Sequence, residues 1–220
     1  MTRGILIAGN ESTLFSTLCT EAAKRVETYT AAFIPRNQGP ESVRNVPSEK
    51  RITLDWNPPS PVSAKAMVLS ALNKMEHIDD AILVCVPPAY RKNAEEFTAA
   101  EIDRFIDHNI KGWFFLAREL TAVFKARGQG TLSLVLPELS AGSKPDAPDL
   151  TGPVVTAAFR SFAQGILLSS LNAPYEALGF SLPEPGEENA FAAFIFKTIE
   201  EGKRASGRWH KYGKFGFLGR

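Results

Sequence analysis

The sequence predicts one α/β domain over residues 1–220, built on a doubly wound parallel sheet with helices on both faces. Three observations lead there. Gly4–Gly9, Ala81–Val86 and Thr131–Leu136 are short, nearly unbroken apolar runs, the pattern of strands buried on both faces, which parallel strands are. Between such runs lie segments whose apolar residues recur at helical spacing, so strand and helix alternate. Finally, 220 residues with 44% hydrophobic and 22% charged side chains can bury a sizeable core without a disulfide or a metal.

Taken in order, Gly4–Gly9 is a strand ending in glycine, and Leu14–Arg25 follows as a helix with Leu14, Phe15, Leu18, Ala22 and Ala23 on one face. Thr28–Pro35 is a second strand closed by its proline, and Arg36–Glu49 is a polar loop with at most a short helix. Arg51–Leu54 is a third strand, stopped by Asp55-Trp56-Asn57-Pro58-Pro59, and Pro61 opens a helix continuing over Val62–Glu76. Ala81–Val86 ends at Pro87-Pro88. A long helix over Thr98–Ala126, a strand at Thr131–Leu136 and a helix over Val154–Asn172 continue the alternation. Leu178–Leu182, Asn189–Gly202 and Gly207–Leu218 complete it as strand, helix and an aromatic-rich strand or arm. No internal repeat or long linker divides the chain.

Composition excludes several classes of function. With 25 basic and 24 acidic residues the net charge is +1, which argues against nucleic acid and against a membrane surface as partners. No apolar run reaches membrane-spanning length, and Met1-Thr2-Arg3 leads into a strand instead of a signal peptide. Cys19 and Cys85 are too few for a disulfide framework, so the expected compartment is the cytoplasm. His77, His108 and His210 are scattered, without carboxylate partners at ligand spacing, and no metal is expected. A hydrolase's Gly-x-Ser-x-Gly elbow is absent.

In such a sheet, ligands bind beyond the carboxyl ends of the strands where strand order reverses. The first segment there is Ala8-Gly9-Asn10-Glu11-Ser12-Thr13-Leu14-Phe15. A dinucleotide's pyrophosphate needs glycines at this turn, because the backbone must come close and present its N–H groups. Gly9 is present, while Thr13 and Phe15 stand where later glycines would be. Gly9, Asn10 and Ser12 are therefore candidate cofactor contacts, or else an ordinary strand-to-helix turn capped by Ser12 or Asn10.

At this point the chain resembles the short-chain dehydrogenase/reductases, a Rossmann-type family, over nearly its whole length. The resemblance lies in the order of features. It has the glycine turn Ala8-Gly9, Asp55 after the third strand, the apolar fourth strand, and Asn109-Ile110-Lys111-Gly112-Trp113-Phe114, similar to the family's Asn-x-x-Gly-x-Phe element. Gly130–Leu136 follows as a strand, and Ser206-Gly207-Arg208-Trp209 is similar to the family's closing Thr-Gly-Gln segment. The resemblance implies NAD or NADP as cofactor, with Asp55 on the adenine amino group and Arg36 and Asn37 placed for a 2′-phosphate. Each also reads as an ordinary turn or loop residue.

The family's catalytic positions are filled differently. Its tyrosine is the acid/base, and a lysine four residues later lowers the tyrosine's pKa and holds the ribose; a phenol with an ordinary pKa of ~10 is a poor base without such help. Val155 and Phe159 fall on these two positions, and neither can carry a proton. Pro137 falls on the serine position, with Ser140 displaced, and of the four only Asn109 is retained; there an asparagine also serves a helix kink. Tyr90 is a further, displaced candidate, with Lys92 two residues on, while Arg160 should point away from the lysine's place and Tyr175 lies near the sheet edge. The segment after the sixth strand passes almost at once into the next helix, leaving no room for the family's mobile cover.

Two expectations follow. The first is a protein that keeps the fold and has lost the oxidoreductase mechanism, serving as a binding or assembly component. The alternative is an NAD(P)-dependent oxidoreductase acting on a carbonyl or alcohol with displaced groups, Tyr90 or Ser140. The resemblance also implies a two-fold contact through the helices that hold Asn109 and Phe159. Phe105, Trp113, Phe114, Leu116, Leu120 and Phe124 make the first helix apolar on more than one face, and Phe159, Phe162, Ile166 and Leu167 do so for the second. A homodimer or homotetramer is expected, with Trp209, Tyr212, Phe215 and Phe217 adding to this contact or to a second one.

Overall fold

In the computed structural model of the chain, residues 3–33, 50–88, 90–137, 149–183 and 186–213 are described. Seven parallel strands form one sheet: β1 (Ile5–Gly9), β2 (Tyr29–Phe33), β3 (Arg51–Asp55), β4 (Asp80–Val84), β5 (Thr131–Pro137), β6 (Glu176–Leu182) and β7 (Arg208–Lys211). Their order across the sheet is β3-β2-β1-β4-β5-β6-β7. The chain winds outward from β1 to β3 and returns to β1's other side at β4, so the switch point lies between the ends of β1 and β4. This is the doubly wound fold that the alternation predicts.

Alternate residues of each strand feed two cores. Leu6, Ala8, Leu83 and Leu134 face one side, covered by α2 (Pro61–Met75), α4 (Gly112–Arg127) and α5 (Thr151–Ser170). Ile5, Ile7, Ile82 and Phe180 face the other, covered by α1 (Thr13–Arg25) and α6 (Glu188–Glu200). Local chemistry sets the helix starts. Ser12 Oγ accepts from Phe15 N at 3.1 Å, and Ser60 Oγ accepts from Ser63 N at 3.1 Å with Pro61 just inside α2. Thr98 and Glu101 form a reciprocal cap on α3 (Ala99–Ile106). Asp149, from the preceding loop, accepts from Thr151 N and Gly152 N at the start of α5. Gly128, at φ 77°, ends α4 in the left-handed conformation that glycine adopts without strain.

The long helix expected over Thr98–Ala126 is not one regular helix. Between α3 and α4, Asp107–Lys111 forms a π-helical turn, an extra residue's worth of backbone inserted into the helix, and Asn109 sits in it. Asn109 Nδ2 donates to Phe105 O at 2.9 Å, meeting a carbonyl at the irregularity. Strand edges also move slightly: β4 ends at Val84, before Cys85 and Val86, and β6 begins at Glu176.

Candidate active-site cleft

The sheet's carboxyl edge opens into a cavity of about 480 Å³ at the switch point. Asn10 lines it from the end of β1, Val86, Pro87 and Pro88 from the end of β4, and Tyr90 and Lys92 from the loop beyond. The opposite wall is the helix leading into Asn109, which presents Glu101, Arg104, Phe105, His108 and Asn109 on one face at helical spacing. The sequence alone singled out Asn10, Tyr90, Lys92 and Asn109 here. Glu101 and Arg104 are not legible as site residues, and His108 reads there only as a scattered histidine, although their periodicity with Asn109 is a usable signal.

Asn10 does not cap α1; its Nδ2 donates to Val86 O at 3.1 Å, clipping the end of β1 to the end of β4 across the switch point. Ser12 is the helix cap, and its hydroxyl oxygen is engaged by Phe15 N. Gly9 ends β1 where a Cβ would run into Val84 O and lie 3.0 Å from Val84 Cβ, so close packing of β4 already requires a glycine there. Asp55 closes β3, two strands from β1, exposed and outside the cavity lining. Arg36, Asn37 and Ser140 lie outside the described residues, as do Phe215 and Phe217.

Val155 and Phe159 are both buried, at 1% and 2% exposure. Phe159 stands edge-on to Trp113 with ring centroids 5.3 Å apart, and Trp113 is edge-on to Trp56 at 5.1 Å. Three rings from the β3–α2 turn, α4 and α5 thus form a ladder between helices and sheet. Gly112 permits it: a Cβ there would lie 2.9 Å from Pro58 Cα and 3.1 Å from Trp56 Cζ2. Among the described residues the indole N–H groups of Trp56 and Trp113 and the hydroxyl of Ser133 have no hydrogen-bond acceptor or donor in normal geometry, so the ladder carries a desolvation cost of its own. Trp113 borders the Cys85 thiol, whose pKa is pushed up by complete burial more than the indole lowers it.

Several other side chains find partners that sequence did not disclose. Lys92 Nζ and Glu101 Oε1 pair at 2.6 Å, and with Thr98's hydrogen bonds this draws the Glu101 carboxyl down to about 2. Arg160 points away from the lysine's place, as its helical phase predicts, and lies over the Trp209 ring at 5.2 Å. Tyr175 is buried against Phe124 at the strands' amino edge, away from the cleft. His77 pairs with Asp79 at 3.2 Å through the turn into β4, a single ion pair and not a set of metal ligands. Among the described residues no group of His, Cys, Asp and Glu could hold a metal ion. Cys19 is buried, its thiol pushed up to about 12 by desolvation. Trp209 and Tyr212 are not an exposed cluster: Trp209 Nε1 donates to Ser181 Oγ at 3.1 Å, and Tyr212 packs on Phe191 and Phe194.

With this geometry the fit of a nicotinamide dinucleotide can be judged. Val155 and Phe159, which the resemblance aligns with the family's tyrosine and lysine, are an isopropyl group and a phenyl ring packed into the core. At the phosphate end Ser12 Oγ accepts from Phe15 N, and Asn10 Nδ2 donates to Val86 O across the crevice. At positions 155 and 159 the described residues offer a dinucleotide neither a hydroxyl nor a cation.

No family model and no curated protein sequence matches the chain. Solved structures do. A short-chain type dehydrogenase/reductase from Mycobacterium marinum superposes with a TM-score of 0.77 at 14% identity, covering 95% of this chain and 92% of that one. A short chain dehydrogenase from Mycobacterium smegmatis gives 0.72 at 11% identity, over 97% and 93%. A short-chain dehydrogenase/reductase from Serratia marcescens gives 0.71 at 12%, over 96% of each chain. The chain has the fold of the short-chain dehydrogenase/reductases. At these identities the likeness extends to the fold, and the residues in the cleft must speak for the chemistry.

Proposed function

We propose that the chain is a short-chain dehydrogenase/reductase scaffold without the family's oxidoreductase reaction, acting as a binding or assembly component. The observation that carries this is the pair Val155 and Phe159, buried and built into the aromatic ladder with Trp113 and Trp56. A phenol and an ammonium at those points would have to displace core packing, and neither present side chain can exchange a proton. The near-neutral charge and two buried thiols suit the cytoplasm.

Assembly would use the outer faces of α4 and α5. Phe114 is 55% exposed, its ring 4.6 Å from that of Phe162, in an apolar groove that also includes Ile110 and Ile166. Gly165 lies in the same groove with nothing within 4 Å of where a Cβ would be. Glycine in mid-helix costs about 1 kcal/mol relative to alanine, and a second helix approaching closely would give it a purpose. The expected unit is a homodimer or homotetramer.

The second reading, an NAD(P)-dependent oxidoreductase with displaced groups, draws on one observation: Tyr90 and Asn109 line the same cavity. Titration of the purified chain with NADH and NADPH by fluorescence, followed by a panel of carbonyl substrates, separates the two. The proposal expects neither binding nor turnover; turnover that Tyr90→Phe abolishes would establish the second reading instead.

A further inference from the structure

We infer that the switch-point cavity is a binding site for a small organic anion with an apolar, ring-sized body and at least one hydroxyl or amine donor; this rests on the reading that the dinucleotide's seats have become packing positions. The volume of about 480 Å³ lies within the range of small-molecule sites, roughly 300–1,000 Å³. Phe97, Phe105, Pro87 and Pro88 supply apolar walls that suit a planar body.

The polar groups on those walls define the rest. Asn10 and Asn109 each spend Nδ2 on a backbone carbonyl, Val86 O and Phe105 O respectively. A carbonyl only accepts, so the orientation of both carboxamides is forced, and each Oδ1 remains an acceptor that no donor meets among the described residues. These acceptors, open to the cavity on two of its sides, can each take a donor from a ligand.

Charge then selects an anion. Lys92 and Glu101 neutralise each other across their 2.6 Å pair. Arg104, three residues beyond Glu101 on the same helix face, lines the cavity with a guanidinium that pairs with no carboxylate among the described residues. It is the unbalanced charge of the site, and a guanidinium's fork matches a carboxylate. Tyr90, 52% exposed at the rim, adds a hydroxyl that can donate to the same group.

The test uses ligand-observed NMR on the full chain with para-hydroxybenzoate as the probe, and benzoate and phenol as comparators lacking the donor and the anion. Saturable binding of para-hydroxybenzoate is expected, weaker for each comparator. Arg104→Gln, an exposed position, should weaken the probe by about tenfold with no change in thermal midpoint, the equivalent of one charge-assisted hydrogen bond. An excess of NADH should leave the probe bound. If binding does not saturate, or Arg104→Gln leaves it unchanged, the inference is overturned while the reading of Val155 and Phe159 stands. If NADH displaces the probe, that reading fails and the inference falls with it.

Discussion

Replacing Phe159 with alanine asks directly whether the seat of the family's lysine has become part of the core. Its ring is 2% exposed, lies edge-on to Trp113 at 5.3 Å and is near Phe162 at 6.2 Å. Truncating such a ring loses its transfer free energy and leaves a cavity, together about 3–5 kcal/mol. Roughly 0.5–1.5 kcal/mol of that belongs to the edge-on pair. In a chain of this size each kcal/mol lowers the melting midpoint by about 2–4 °C, so the expected fall is about 6–20 °C. Calorimetry measures it. Tryptophan emission supplies a second readout, since Trp113 loses its neighbour and water gains access to the ladder. Val155→Ala, a smaller buried side chain, should cost about 1.5–3 kcal/mol. A Phe159→Ala chain that melts within about 2 °C of the parent with unshifted emission would refute the reasoning, because α5 would then present a different face to the sheet.

Three further outcomes follow from the same packing. Gly112→Ala improves intrinsic helix propensity by about 1 kcal/mol, yet the added Cβ meets Pro58 backbone, so a net loss of about 1–3 kcal/mol in urea unfolding is expected; a gain would mean that α4 stands clear of the β3–α2 turn. Asp80, buried beneath Arg3, has its pKa raised above the ordinary 3.8 because desolvation outweighs the Arg3 bonds. The native chain therefore holds that proton more tightly than the unfolded one, so this group's stabilisation is full below 3.8 and lost as pH rises through its raised native value. Asp80→Asn should flatten that decline in a pH series of urea midpoints, and a parent-minus-variant difference rising with pH would contradict it. Light scattering should return a multiple of 24.0 kDa for the parent and a smaller particle for Phe114→Arg, with a parent of 24.0 kDa ending the case for a homo-oligomer.

How far the chain could be read in advance differs from residue to residue. The strand runs Ile5–Ala8 and Ala81–Val84 and the caps at Ser12 and Thr98 are local signals, carried by a handful of adjacent side chains. The π-helical turn at Asp107–Lys111 is marked only by Asn109, a residue suited to a kink, and nothing else in its composition separates five residues of π from five of α. In the sequence Trp56 reads as part of a strand-stopping turn, and its place beneath Gly112 depends on a helix more than fifty residues away. The missing halves of the cleft are of the same kind: Arg104 and Glu101 carry helical periodicity, but which loop faces them is a tertiary matter.

The sequence by itself determined the alternation of buried strands with amphipathic helices, and the chemical poverty of positions 155 and 159, because both follow from residue identity and short-range spacing. Only the tertiary structure decided that those two side chains are core, that Asn10 reaches across to Val86 at the end of β4, and that Asn109 lines a cavity of mixed polarity while Trp113 joins an aromatic ladder. The physical reason is range: propensity and period act over a few residues, whereas packing partners, unsatisfied polar atoms and unbalanced charge exist only once segments distant in the chain have been brought into contact.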